Sequence, residues 1–175
     1  MNALASAAQS AGKRYERELA TVINLVTTRT KKRVSMGIRQ ELATSAKAVN
    51  DQLETSTRAK PGALRRTVTI KYSSRIPLKD FGANQKKKGV SYKISKTKGR
   101  QTIPSAFIVR LYGDNVFQRR GKARPVGSAK KGASPWGVFV KRKQARPIRK
   151  EVRSELIKEI KRRTKFLNLK ASGAI

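Results

Sequence analysis

The chain has 175 residues, with 43 lysines and arginines against 10 aspartates and glutamates, and a formal net charge of +33. Solubility needs far less charge than this, so we expect a polyanionic or strongly acidic partner. Cysteine and histidine are absent, which excludes disulfides, thiolate metal sites and the usual general base of enzymes.

Targeting signals do not stand out in the sequence. No apolar run approaches the length of a membrane span, and the N-terminus lacks the basic and apolar regions of a signal peptide. We therefore expect no membrane partner. We also expect the protein to be made, and to stay, in a cytoplasm unless a larger particle carries it out.

The N-terminal part of the chain is predicted to be helical. We expect a flexible arm over residues 1–12, which are small and polar. From Lys13 to about Ser56, apolar residues recur at spacings of three and four, which is the pattern of a helix with one apolar face. The threonines at 27–30 leave two alternatives open, a helix pair or one long bent helix.

The middle of the chain carries strand patterns. Apolar residues alternate with polar ones at 68–72 and again at 90–94, which predicts two half-buried strands. Residues 76–89 between them contain a proline, two glycines and three adjacent lysines, so a loop or a short edge element is expected. Ile103–Arg119 is predicted to be a β-hairpin around the turn Gly113-Asp114-Asn115.

The C-terminal part is predicted to contain a loop, a short element and a helix. Residues 119–135 are rich in Gly, Pro, Ser and Lys and predict a long flexible loop. Residues 136–140 suggest a short strand or anchoring segment, and Pro147 opens a final helix before a frayed tail at 168–175. The fold class is therefore α+β, a single domain over 13–167. In it, the N-terminal long helix or helix pair and the C-terminal helix pack on a small antiparallel β-sheet.

Catalysis finds little support among the side chains. Between Phe81 and Lys150 the single acidic residue is Asp114, whose place in the predicted turn suits aspartate. Asp80 and Asp114 form too small a carboxylate set to argue for Mg²⁺. The glycines also lack the spacing of a phosphate-binding loop. We expect no enzyme activity, no cofactor and no metal.

The cations are concentrated in runs at predicted strand ends and in the basic loops 84–89 and 119–135. We expect these runs to share one surface that contacts phosphates without reading base sequence. The predicted nucleic-acid-binding residues are Lys86, Lys87, Lys88, Arg119, Arg120, Lys122, Arg124, Lys130 and Lys131.

The aromatic residues of the strands are predicted to be core rather than a platform for stacking bases, because they fall at sites of strand alternation. They are Tyr72, Tyr92, Phe107, Tyr112 and Phe117.

Four short segments occur in a recognisable order. They are Phe81-Gly82-Ala83, Ile103-Pro104-Ser105-Ala106-Phe107-Ile108, Val116-Phe117-Gln118-Arg119 and Pro147-Ile148. Their order and spacing, with the basic composition, resemble the minor tail protein Z (tail-completion) family of lambda-type long-tailed phages over about Val34 to Ile148. Ser105 stands where that family commonly has glycine, the loop after Arg119 is long, and Pro147-Ile148 lies further downstream than usual. The motif positions expected in the core are Phe81, Gly82, Ile103, Pro104, Ala106, Phe107, Val116 and Phe117.

The resemblance implies a structural virion protein in the neck of a long phage tail, at the end that joins the head. It implies a homo-oligomeric ring, with a hexamer favoured and the copy number left open. It also implies contacts with the tail terminator, the head–tail connector proteins and the end of the double-stranded DNA. The alternative that the residues leave open is a free, sequence-nonspecific nucleic-acid-binding protein of ribosomal or nucleoid type.

Overall fold

A computed structural model describes residues 2–72, 74–119, 128–141 and 145–172, with side chains described from residue 9 onward. The fold is α+β, as the sequence predicts, with long helices at both ends and small antiparallel sheets between them. The chain divides into two compact units. Unit 1 comprises Met1–Arg33, Thr55–Thr69 and Ala145–Ile175, and unit 2 comprises Val34–Glu54 and Ile70–Gln144.

Helix α1 is a single helix of 40 residues, Asn2–Glu41, so the described part of the expected flexible arm is helical. The threonine-rich stretch does not break the helix, because each hydroxyl bonds to the carbonyl four residues earlier. Thr27 donates to Ile23 at 2.7 Å, and Thr30 donates to Val26 at 2.8 Å. These bonds satisfy the polar groups of residues that otherwise compete with the helix.

The predicted helix to Ser56 ends earlier than expected, at Glu41. The Glu41 carbonyl accepts the Lys96 N–H at 2.9 Å, and the Ala43 N–H donates to Ile94 at 2.8 Å, so the chain pairs with a neighbouring segment instead of continuing the helix. Ser45 then caps the short helix α2, Ala46–Asn50, and β1 (Leu53–Thr55) pairs with β2 (Val68–Ile70).

Unit 1 is built by the first part of α1, the segment 55–69 and helix α4, Ala145–Ala171. Asn24 of α1 holds that segment by donating to the Ala59 carbonyl at 2.9 Å and accepting the Ala59 N–H at 3.0 Å. Val152 and Leu156 of α4 line a small cleft with Val26 of α1. The apolar stripe of α4 therefore faces α1, and Val68 of β2 lines the same cleft.

Helix α4 also extends further than the sequence predicts. It runs to Ala171, through most of the described part of the expected frayed tail at 168–175. Tyr15 of α1 donates to the Asn168 side chain at 2.8 Å, and Leu167 is buried. These contacts with α1 hold the last turns of α4 in helical form.

Unit 2 contains two antiparallel sheets. The first has the order β3-β4-β5, with strands Asn84–Lys86, Gly89–Tyr92 and Gln101–Pro104. The second is the predicted hairpin, in which β6 (Ala106–Val109) pairs with β7 (Asn115–Gln118). The expected edge element within 76–89 is therefore strand β3, which follows a 3₁₀ helix at Leu78–Phe81.

The hairpin is shorter and its connection longer than predicted. Ile103 and Pro104 belong to β5, and Ser105, with φ +57, separates β5 from β6. The connection is a 3₁₀ helix, Arg110–Tyr112, followed by Gly113 and Asp114, which both have positive φ. Aspartate tolerates this left-handed conformation better than most residues, which explains its presence in the turn.

The core of unit 2 contains side chains from the last part of α1, the 3₁₀ helix Leu78–Phe81 and both sheets. Its fully buried large side chains are Ile38, Val49, Ile76, Phe81, Val90, Val116 and Pro135. Of the expected motif core, Phe81, Ala106 and Val116 are buried, Ile103, Phe107 and Phe117 are half-buried, and Gly82 and Pro104 are exposed.

Two expectations about aromatic segments are wrong. Of the two alternatives for residues 136–140, the strand is wrong, because Trp136 lies in helix α3, Pro135–Lys141. Pro135 suits the first turn of that helix, where the N–H that it lacks would be unpaired anyway. Tyr72 is 75% exposed and Tyr112 is 68% exposed, so neither is core. Tyr72 follows the end of β2, and Tyr112 lies in the connection of the hairpin, so strand alternation does not reach either of them.

None of the helices in the described ranges combines the length and apolarity needed to cross a membrane.

Gly89 is required where β4 begins. Its φ is +148, and an added Cβ would lie 2.0 Å from the Ile103 carbonyl oxygen. Gly89→Ala should therefore lower the free energy of unfolding by about 3 kcal/mol or more in urea titration. Gly99→Ala is the matched control, because no atom lies within 4 Å of its added Cβ, and stability should stay the same or rise slightly. Equal effects of the two substitutions would contradict this assignment.

Candidate functional site

Two of the predicted basic runs meet at Ser105. The turn between β3 and β4 consists of Lys87 and Lys88, and Lys86 is the last residue of β3. The Ser105 N–H donates to the Lys88 carbonyl at 3.3 Å, and the Arg119 N–H donates to the Ser105 carbonyl at 3.2 Å. Lys86, Lys87, Lys88 and Arg119, all exposed, form what we call the basic corner.

Gln85 holds the lysine turn in place. Its side-chain nitrogen donates to the Gly89 and Ala106 carbonyls at 3.2 and 3.4 Å, and its oxygen accepts the Ile108 N–H at 3.0 Å. These bonds join the β3–β4 hairpin to β6. No pattern in the sequence identifies Gln85, because its partners in β6 are 21 and 23 residues away along the chain.

The other predicted binding residues are placed differently. The Lys130 N–H donates to the Val116 carbonyl at 2.7 Å, and its own carbonyl accepts the Leu78 N–H at 3.2 Å. Lys131 bridges to Pro77, so this end of the expected flexible loop is joined to its neighbours by backbone hydrogen bonds. Arg120, Lys122 and Arg124 lie outside the described residues.

Arg100 is a cation whose guanidinium binds groups of the protein itself. Arg100 donates to the Gly82 carbonyl at 2.5 Å and to the Ser91 carbonyl at 3.1 Å, and its Nε donates to the Ser91 hydroxyl at 2.9 Å. Its guanidinium therefore ties β4 to the turn after Phe81. Because these groups already use its donors, Arg100 contributes less to ligand binding than an unoccupied cation would.

Unit 1 contains a cluster of ion pairs between α1 and α4. Arg29 Nη1 lies 2.8 Å from Glu155 Oε1 and 3.3 Å from Glu159 Oε1. Arg33 lies 2.5 Å from the second oxygen of Glu155, and Arg162 lies 2.9 Å from Glu159. An open groove beside this cluster carries charges of both signs, so it suits a polyanion less well than the basic corner.

The ion pairs shift the ionisation of their carboxylates. The hydrogen bond from Arg29 lowers the pKa of Glu155 below 4.5, although burial opposes the shift. The hydrogen bond from Arg162 likewise lowers the pKa of Glu159. Both glutamates therefore stay charged to a lower pH than an unpaired glutamate does.

Asp80 and Asp114 are the two carboxylates that the sequence analysis considers for Mg²⁺. Asp80 and Asp114 line one open cleft, but Lys79 and Arg110 line it too. The Lys79 ammonium donates to the Gly113 carbonyl at 2.8 Å, next to Asp114. Across the ranges that the structure describes, no group of three or more His, Cys, Asp or Glu side chains is arranged to hold a metal ion.

Comparison of the chain with protein-family models, with curated proteins and with solved structures finds no match. The resemblance of the four segments to the tail-completion family therefore stays a prediction. The basic corner is the feature from which a function can be argued.

The α1–α4 ion pairs should make stability depend on pH. A glutamate whose pKa is lowered by folding stabilises the protein fully above its ordinary pKa, and this contribution is lost as the pH falls through the lowered pKa. Glu155→Gln should therefore lower the free energy of unfolding by about 1 kcal/mol at pH 7, and its difference from the parent should shrink below pH 4.5.

Glu151→Gln is the matched control for this test. It removes the same charge from an exposed residue of the same helix, so it separates the ion pair from the general rise in net charge. Thermal and urea unfolding between pH 3 and 7 measure both variants. An equal loss of stability in the two would show that Arg29 and Arg33 do not favour Glu155 specifically.

Proposed function

We propose that this protein is a structural virion protein of the tail-completion type, acting at the head-proximal end of a long phage tail. The observation that carries the proposal is the basic corner, where two cationic segments are fixed side by side on one serine. In this role the corner contacts the phosphates of the DNA end. The protein acts without catalysis, by holding the DNA end and joining the tail to the head.

The backbone of the corner suits a phosphate contact. Lys88 and Arg119 are linked through the Ser105 peptide groups, and Gln85 fixes the turn that carries the lysines. Ordered placement lowers the conformational cost of binding, and released counterions supply the affinity. Contacts of this kind position a protein on DNA without reading its sequence, which suits a protein that holds a DNA end.

The motif positions give the proposal further support. Ser105 stands where the tail-completion family commonly has glycine, and its φ of +57 is one that glycine adopts most easily. Phe81 and Val116, from two other motif segments, are both fully buried. The segments that carry the resemblance thus have recognisable structural roles.

Charge also bears on assembly. A formal charge of +33 makes copies of the chain repel one another unless an anionic partner lies between them. We propose a homo-oligomeric ring, closed by heterologous contacts, that assembles around DNA or against acidic neighbouring proteins of the neck. The tail terminator and the head–tail connector are the expected neighbours.

Neutralising the basic corner tests the DNA contact. The variant with Lys86, Lys87, Lys88 and Arg119 changed to Gln should bind duplex DNA more weakly. The slope of log K against log salt should become shallower by about 3–4, because each lost phosphate contact removes about 0.9. Fluorescence anisotropy of a labelled duplex over a salt series measures both quantities.

A matched control removes the same number of charges from α4. It changes the exposed residues Lys158, Lys161, Lys165 and Lys170 to Gln, and it should keep most of the affinity and slope. A larger loss in this control than in the corner variant would place the DNA contact elsewhere.

Deleting the gene from the phage that carries it tests the assembly role. We expect separate heads and tails, or joined particles that do not infect, in electron micrographs and plaque assays. The purified protein should sediment with tails. Normal plaques after deletion, or sedimentation with ribosomes or nucleoid instead of tails, would contradict the proposal and favour a free nucleic-acid-binding protein.

A further inference from the structure

The β6–β7 hairpin carries its aromatic side chains on the face opposite the core. In its register, Phe107 lies directly across from Phe117, and Ile108 lies across from Val116. Side chains alternate between the two faces of a strand, so Phe107 and Phe117 share one face while Ala106 and Val116 take the other. Ala106 and Val116 are 3% and 0% exposed, which makes theirs the core face.

Four side chains form a continuous row on and beside the outer face, which we call the aromatic row. The rings of Phe107 and Phe117 are stacked, with centroids 6.4 Å apart. Tyr112 meets Phe117 edge-on at 6.0 Å. At the other end, the Arg119 guanidinium carbon lies 5.6 Å from the centroid of the Phe107 ring.

The row ends in a strongly exposed tip. Tyr112 is 68% exposed, and Leu111 beside it is 94% exposed. Large apolar side chains displayed together on a charged protein mark an interaction surface rather than a core. An aromatic row that ends in a guanidinium is the arrangement on which nucleic-acid bases stack.

We propose that the aromatic row binds the unpaired bases of a single DNA strand. The inference rests on the proposed function for the identity of the ligand as DNA, and it adds a site for bases to the site for phosphates. Charge complementarity favours this occupant, because Arg119 belongs both to the aromatic row and to the basic corner. A strand whose phosphates lie on the corner therefore has its bases beside the row.

Stacking explains why the ligand is a single strand. In a duplex, base faces are covered by neighbouring base pairs, so an aromatic side chain reaches them only at an end or in an unpaired stretch. Stacking tolerates any base, because every base has a π-face. The sequence analysis assigned these aromatics to the core, since alternation alone does not reveal which face of a strand is buried.

Three DNA ligands of equal length test the inference on the full chain. They are a strand of thymidines, an abasic strand with the same phosphates, and a duplex. Fluorescence anisotropy at one fixed salt concentration should show tighter binding of the thymidine strand than of the abasic strand. Tyr112→Leu and Phe117→Leu should each weaken thymidine-strand binding by about 5- to 150-fold and leave the other two ligands nearly unchanged.

Tyr72→Leu is the matched control, because Tyr72 is about as exposed as Tyr112 but lies in a different aromatic contact, with Trp136. It should not change the affinity for any of the three ligands. If Phe117→Leu reduces the melting temperature, the exposed Tyr112 still provides a variant that keeps the fold.

Equal affinity for the thymidine and abasic strands would overturn the inference, as would equal effects of Tyr112→Leu and Tyr72→Leu. A change in sedimentation on Tyr112→Leu without a change in base binding would assign the row to a second copy of the chain. Failure of the proposed function is a separate outcome. It would appear as unchanged duplex binding by the variant in which the basic corner is neutralised.

Discussion

The imbalance between cations and carboxylates is the constraint on which the rest of the structure depends. With 43 basic and 10 acidic residues, most cations have no carboxylate to pair with. Three of the acidic residues, Glu18, Glu155 and Glu159, join α1 and α4 through ion pairs with Arg163 and Arg29. These ion pairs lie where two helices of like net charge pack together, because the repulsion between the helices would otherwise oppose folding.

Hydrogen bonds from polar side chains to the backbone hold the strands of unit 2 together. Gln85 and Arg100 each bond to several backbone groups, and they tie strands together around β4. These bonds do not depend on a carboxylate partner. The Gln85 bonds hold the backbone of the turn, and the lysine side chains of the basic corner stay exposed.

The β6–β7 hairpin has one buried and one partly exposed face. Its inner face, with Ala106 and Val116, anchors it in the core of unit 2. Its outer face carries Phe107 and Phe117, and Arg119 extends from its end into the basic corner. The proposed phosphate contact and the proposed base contact are therefore adjacent, because Arg119 belongs to both the basic corner and the aromatic row.

Periodicity in the sequence determined the two long helices, strands β2 and β4, and the hairpin, because these patterns depend on neighbours a few residues apart. The same patterns predicted a buried Tyr72 and Tyr112, and a short strand or anchoring segment at Trp136. The two tyrosines and the strand were wrong because alternation does not show where a strand ends or which face is covered. Only the tertiary structure placed α4 against α1 and brought Lys88 and Arg119 to Ser105. Those contacts join residues far apart in the chain, and their free energy depends on the packing of the whole fold rather than on local pattern.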